Sequence, residues 1–305
     1  MWVVGIDENG LGPRLGALVV TSVTLEVDRY ERARMAQLGR SVGIDDSKVT
    51  SAFGRMADAE GLALALIERL TGKCPTDADD VLRALAFEGI EALRAPCPAS
   101  TAAQCWRSAV SVPAFGGDLK EGYRRLDRLA RRGIAIGRCR MAIACPRVFN
   151  KGLDELGSKV CVDLGLFERL LLDARRFVST DVSAFCGMVG GIRNYREYFQ
   201  HLDASATEVV AESRRMSHYR IPALGDVCFE VDADGRHLPV ALASMVGKYV
   251  RELTMERQNQ FYLGHDPLLP RPSGYRDPVT ARFIAESASL RKRLNIDPLC
   301  FERTR

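Results

Sequence analysis

No apolar run in this chain approaches the ~20 residues needed to cross a bilayer. No basic region followed by an apolar stretch opens it, so no signal peptide is expected. None of the nine cysteines forms a Cys-x-x-Cys pair, and the count is odd. That spacing argues against a zinc site and for free thiols in a reducing cytoplasm, most of them small apolar filler. There is no internal repeat. Lysine is scarce beside arginine, and the net charge of +4 is compatible with a polyanionic partner without demonstrating one. Together these features lead us to expect a cytoplasmic protein that spans no membrane and shows no sign of an obligate protein partner.

The composition is that of a soluble globular chain: 305 residues, 47% hydrophobic and 27% charged. The length is large for one domain and small for two. The distinctive stretch is Gly5-Ile6-Asp7-Glu8-Asn9-Gly10-Leu11-Gly12-Pro13. An apolar run, Trp2-Val3-Val4, leads into it, and a second runs from Leu15 to Leu25. The pattern reads as a strand feeding a tight turn. Adjacent strand residues point to opposite faces, so Asp7 and Glu8 converge only if the strand ends or twists there. Gly10 and Gly12 would permit that and would let backbone approach a ligand. Two carboxylates about 4 Å apart repel by ~4 kcal/mol at an effective dielectric of about 20. A cation would offset that repulsion, which makes the stretch a candidate divalent-metal site. On the two residues alone, a surface turn that happens to carry acids is the commoner case.

Residues 15–27 read as a buried strand in a hairpin with the first. Asp46-Ser47-Lys48 precedes a helical run and reads as a helix start, capped by Asp46 or Ser47. Residues 74–118, with Pro96, Pro98, Pro113 and Gly116-Gly117, read as an inserted, flap-like segment. Residues 119–132 form a basic amphipathic helix. A further helix is expected over about 159–174. After it, Arg176 to Asp181 reads as a short strand ending in an acid, followed by glycines. Short strands are expected at 208–212 and 227–231. A long helix from about Pro239 to Phe261 places Ser244, Lys248 and Glu252 on one face. An Arg-rich helix at about 278–293 follows.

In this order the motifs resemble ribonuclease HII, the type 2 ribonuclease H family. That family opens with G-[IV]-D-E-A-G-R-G-P, matched by residues 5–13. Asp46-Ser47-Lys48 matches its D-S-K element, and Asn150 and Asp181 match an Asn and a later strand-ending Asp. Leu242-Ala243-Ser244-Met245-Val246-Gly247-Lys248-Tyr249-Val250-Arg251-Glu252 matches A-A-S-I-x-A-K-V-x-R-D, and Gly274-Tyr275 matches a later G-Y. Asn9, Leu11 and Glu252 depart from the family's Ala, Arg and Asp. Asp163 and Asp173 compete with Asp181 for the third acid. Asp181 is preferred because it ends an apolar run, whereas Asp163 falls mid-helix.

The resemblance implies a ribonuclease H-like α/β fold: a mixed five-stranded sheet with helices on both faces, and a helical C-terminal part from about residue 262. One catalytic domain would span 1–305, with the insertion at 74–118. The implied reaction is endonucleolytic hydrolysis of RNA in RNA–DNA hybrids or at ribonucleotides embedded in a duplex. Two divalent cations, Mg²⁺ or Mn²⁺, would be held by Asp7, Glu8, Asp181 and Glu252. Gly10, Leu11, Gly12, Lys48, Lys248 and Tyr275 would contact the nucleic acid. Arg193, Arg251 and Arg276 are further candidates for phosphate. The competing expectation is a nucleic-acid-binding protein on the same fold with weakened chemistry.

Overall fold

The computed structural model describes residues 1–45 and 56–304. Lys48, with Asp46 and Ser47, lies outside the described residues. Seven strands among the described residues form one mixed sheet. They are β1 (Trp2–Asn9), β2 (Leu18–Val27), β3 (Ile134–Ala144), β4 (Val182–Gly187), β5 (Glu208–Glu212), β6 (Met216–Ile221) and β7 (Gly225–Glu230). Their order is β3-β2-β1-β4-β7-β6-β5. β1 and β2 pair antiparallel, as the hairpin reading expects, whereas β1–β4 and β4–β7 are parallel.

The mixed sheet matches the expected architecture but has two more strands than five. The extra pair is the antiparallel β5–β6 edge. β6 escapes a reading by apolar runs because it alternates: Ser217, Tyr219 and Ile221 are buried, whereas the intervening Arg220 is exposed. Its buried face packs with Phe229 and Tyr195.

Strand alternation divides the core. Val3 faces one layer with Val19 and Val23, and Val4 and Ile6 face the other with Leu18 and Val20. The first layer is covered by α8 (Leu238–Leu263), with α2 (Met56–Thr71) and α5 (Leu119–Ala130) behind it. Gly5 is a packing requirement: a Cβ there would lie 2.1 Å from the Pro239 carbonyl carbon, so only glycine lets α8 start against β1. The second layer is covered by α7 (Lys159–Val178), which begins at the Ser158 cap and ends in a left-handed Ser179. Residues 176–178 therefore end a helix and do not open a strand.

Residues 74–118 contain α3 (Ala78–Leu85) and α4 (Ile90–Arg94). This segment is tied down and does not project as a flap. Asp79 accepts from Arg257 of α8 at 2.6 Å, Gln104 donates to the Cys300 carbonyl at 2.6 Å, and Thr101 donates to that of Asn295 at 2.7 Å. The nine cysteines are free thiols. Four of them, Cys97, Cys105, Cys145 and Cys300, line one small cavity between this segment and the C-terminus. The C-terminal part is helical as expected: α9 (Pro278–Glu286), α10 (Ala288–Arg293) and α11 (Pro298–Phe301). No helix of the described residues is long and apolar enough to cross a membrane.

Candidate active site at the end of the first strand

β1 delivers its two acids to opposite sides of the sheet, as the pleat dictates. Asp7 points to the α8 side, where the Ser244 hydroxyl donates to it. Glu8 points to the α7 side and accepts from the Leu11 amide at 2.9 Å. That bond closes the turn, and Gly10 makes the closure possible with φ of +106°. A Cβ at Gly10 would sit 3.0 Å from the Ala17 carbonyl oxygen. Around Gly12 there is open space, so backbone is presented to whatever approaches.

The acid within electrostatic reach of Asp7 and Glu8 is Asp163, whereas Asp181 lies elsewhere. The β1–β4 register pairs Ile6 with Cys186, so Gly187 stands beside Asp7. Asp181 is six residues earlier, roughly 20 Å back along the strand direction. Its side chain is 73% exposed and pairs with Arg175 at 3.7 Å. Asp163 instead comes off α7 into the layer beneath Glu8. It is fully buried, and neither of its carboxylate oxygens has a hydrogen-bond partner among the described residues. The mid-helix position that argues against it in the sequence is what places it there. It belongs to the buried stripe Asp163, Phe167, Leu170, Ala174, at helical spacing against the sheet. An acid inside such a stripe is a readable anomaly. Asp234, in the turn before α8, is a fourth acid whose charge reaches Asp7. In sequence, Asp234-Gly235 reads only as a turn.

Glu252 stands further along α8. It lies eight residues beyond Ser244 on α8, roughly 12 Å along the axis. It is half-buried and paired with Arg251. Arg251 is itself buried: it donates to the Ser273 carbonyl at 2.7 Å and stacks over the Tyr275 ring at 4.5 Å. Tyr275 is 45% exposed beside it. Lys248 follows Ser244 by one turn and is half-buried. Leu11 is partly buried against the α7 layer. Asn9 donates to the Ser244 carbonyl at 3.3 Å and so packs against α8. Asn150 serves the C-terminus, donating to the carbonyls of Leu299 and Glu302 and accepting from the Thr304 amide.

The electrostatics follow from burial. Loss of water pushes the Asp7 carboxyl well above the usual range, and the charges of Asp234 and Glu8 add to this while Ser244 opposes it. Glu8 is raised by burial too, against the Leu11 amide and the positive charges of Arg303 and Lys159. Asp163 is raised by burial, then by Glu8 and Asp7, and Arg303 opposes. Oxygen-only donors, two of them without a hydrogen-bond partner among the described residues, fit a hard divalent cation. Among the described residues no three His, Cys, Asp or Glu side chains are already gathered as a cation-binding group. Sequence reasoning missed Arg303 entirely, because a basic residue in a tail gives no local signal. It is 4% exposed, and burial pushes its pKa down to about 10.

No protein-family model matches the chain, and no curated protein matches it by sequence. Among solved structures, the chain is similar to RNase HII of Archaeoglobus fulgidus, solved as a PCNA:RNase HII complex. Identity is 17%, coverage is 100% of this chain and 95% of that one, and the TM-score is 0.48. It is also similar to ribonuclease H2 of Pyrococcus horikoshii OT3, at 15% identity, with 99% and 92% coverage and a TM-score of 0.45. A third similar structure is Bst-RNase HIII in complex with Mn²⁺, at 15% identity, with 99% and 66% coverage and a TM-score of 0.49. A likeness at this level carries no statement about activity.

Proposed function

We propose that this chain is a divalent-cation-dependent nuclease of the ribonuclease H type, hydrolysing RNA phosphodiesters in RNA–DNA hybrids or at embedded ribonucleotides. The observation that carries the reading is the buried Asp163, whose carboxylate has no hydrogen-bond partner among the described residues and lies within electrostatic reach of Asp7 and Glu8 at the end of β1, beside a glycine turn. The order of motifs along the chain supports it. Asp7, Glu8 and Asp163 would hold the cation, with Asp234 beside them. This reading leaves Asp181, at the other end of β4, and Glu252, paired with Arg251, out of the cation-holding set.

A bound divalent cation would supply charge neutralisation and an activated water for in-line displacement. The chain's own residues do the rest. Ser244 fixes the Asp7 carboxylate, and the Leu11 amide fixes that of Glu8. The open backbone at Gly12 lets the ribose approach, and a 2′-hydroxyl separates RNA from DNA at such a contact. Tyr275, steadied by Arg251, offers a ring to sugar or base. Lys248 would contact phosphate, as would Lys48. Mg²⁺ and Mn²⁺ both suit the donors.

The test is cleavage of a labelled duplex carrying one ribonucleotide, with Mg²⁺ or Mn²⁺. Cutting is expected 5′ or 3′ of that ribonucleotide and lost in Asp7→Asn. Full turnover by Asp7→Asn would remove the site. The second reading is a nucleic-acid-binding protein with weakened chemistry, favoured by Gly187, which leaves the strand position beside Asp7 without a side chain. Binding of the duplex with no cutting in either metal would favour it.

A further inference from the structure

The nuclease reading leaves the basic helix α5 without a task. Most of its arginines are engaged within the fold. Arg124 and Arg125 pair with Glu121, Arg125 also reaches Asp58 at 3.0 Å, and Arg128 donates to the Ser41 carbonyl at 3.5 Å. Arg131 and Arg132, just past its end, are exposed, and their side chains have no partner among the described residues.

Arg132 lines a hollow of about 360 Å³. One wall is a face of α1 (Arg32–Ser41), on which Arg34, Gln37, Leu38 and Ser41 stand at i, i+3, i+4 and i+7. Opposite, the turn after β2 brings Arg29, and the turn before β3 brings Arg132. The buried Val27 and Met35 form the floor, with Leu38 half-buried beside them. This is the end of the sheet away from the acids. The Val27 amide donates to the Met1 carbonyl at 3.0 Å, and Met1 is six residues, roughly 20 Å, from Asp7 along β1.

Among the described residues, three guanidinium side chains and one carboxylate, that of Asp28, line the hollow. Asp28 stands at the β3 turn, where a Cβ on Gly133 would lie 3.8 Å from its Oδ2. Arg29 meets Glu31 at 3.4 Å, an exposed pair that contributes little. Arg34, like Arg132, has no side-chain partner among the described residues. Arginine's planar fork matches phosphate oxygens two at a time. The volume falls within the range of small-ligand pockets, about 300–1,000 Å³. A cationic rim over an apolar floor suits a ligand with an anionic end and a flat apolar body. A bare anion would leave the floor in water.

We infer that this hollow binds a nucleotide, with its phosphates on Arg34 and Arg132 and its base over Met35 and Leu38. A free nucleotide and the terminal nucleotide of a nucleic-acid strand offer the same phosphate and base. The site is remote from the carboxylates and stands or falls independently of the nuclease reading.

The experiment is calorimetric titration of the full chain, in EDTA at about 150 mM salt. ADP, pyrophosphate and a short DNA duplex with 5′-phosphates are the separate ligands. One ADP per chain is expected, bound about fivefold or more tighter than pyrophosphate, because the floor buries the base. R34Q/R132Q should weaken ADP about tenfold or more. R131Q removes an equal charge outside the hollow and should stay within about twofold of wild type. Circular dichroism and a thermal melt establish that each variant is folded. Should the double variant not fold, R34Q and R132Q singly decide, each expected to weaken ADP about threefold or more. Duplex binding lost in R34Q/R132Q, without ADP binding, would assign the site to strand ends and support its chemistry. No saturable binding of ADP or duplex at millimolar concentration overturns the inference. So does an R34Q/R132Q affinity within about twofold of wild type, or an equal loss in R131Q. Pyrophosphate binding as tight as that of ADP overturns the assignment to a nucleotide.

Discussion

Replacing Asp163 by asparagine tests the core of the site without touching β1. The new side chain is isosteric and stays buried, but the charge is gone. In the cation-free protein a carboxylate with no partner carries a desolvation penalty of about 1–3 kcal/mol, more when ionised. The amide would recover part of that, about 1–2 kcal/mol, or a few degrees of melting temperature for a chain this long. The pH dependence gives a second handle. Burial and the neighbouring acids hold the Asp163 carboxyl above its unfolded pKa of about 3.9. The folded state therefore binds the extra proton, and stability from this group is full below about pH 4. It falls as pH rises from there through the raised folded pKa. D163N should melt higher than wild type in EDTA at pH 7 and show a flatter rise in stability on acidification. Mn²⁺ should raise the wild-type melting temperature and raise that of D163N much less, because a ligand has been removed. Differential scanning calorimetry in EDTA and in Mn²⁺, from pH 4 to 8, measures all of this. A D163N protein that melts lower in EDTA yet keeps the full Mn²⁺ shift would refute the placement of Asp163 at the cation.

Asp181→Asn should leave both duplex cleavage and the Mn²⁺ shift at wild-type values, since the residue sits at the other end of β4; a loss of either by more than threefold would contradict that. Asp7→Asn should cut hydrolysis at least a hundredfold in a single-turnover assay while circular dichroism stays unchanged. Gly10→Ala forces a side chain into φ of +106° and to 3.0 Å from a carbonyl, costing about 1–2 kcal/mol in a urea melt and loosening the Glu8–Leu11 bond. Asn150→Ala leaves two carbonyls and an amide without partners, costing about 2–4 kcal/mol, and should expose the tail to carboxypeptidase, read by mass spectrometry.

Much of the architecture lies in local pattern. Strand β1, its glycine turn, the buried β2, the basic helix α5 and the long helix α8 each carry their own periodicity or punctuation. So does the placing of Asp7 and Glu8, because a strand that runs into Gly-x-Gly must end there. Asp181 misleads because it mimics the same pattern, an acid after an apolar run, although that run is the last turn of α7. Only parallel pairing of β4 with β1 shows that its far end, at Gly187, is the one beside Asp7.

The sequence by itself determined which acids meet the turn from β1, because a strand's alternation and a glycine's freedom are local properties. Only the tertiary structure decided what faces them. Asp163, Asp234 and Arg303 come from a helix, a turn and a tail more than 150 residues beyond Asp7. Each is ordinary in its own neighbourhood, and the fold alone brings it within reach of distant charges. Such burial depends on how layers stack across the sheet, which no window of adjacent residues encodes.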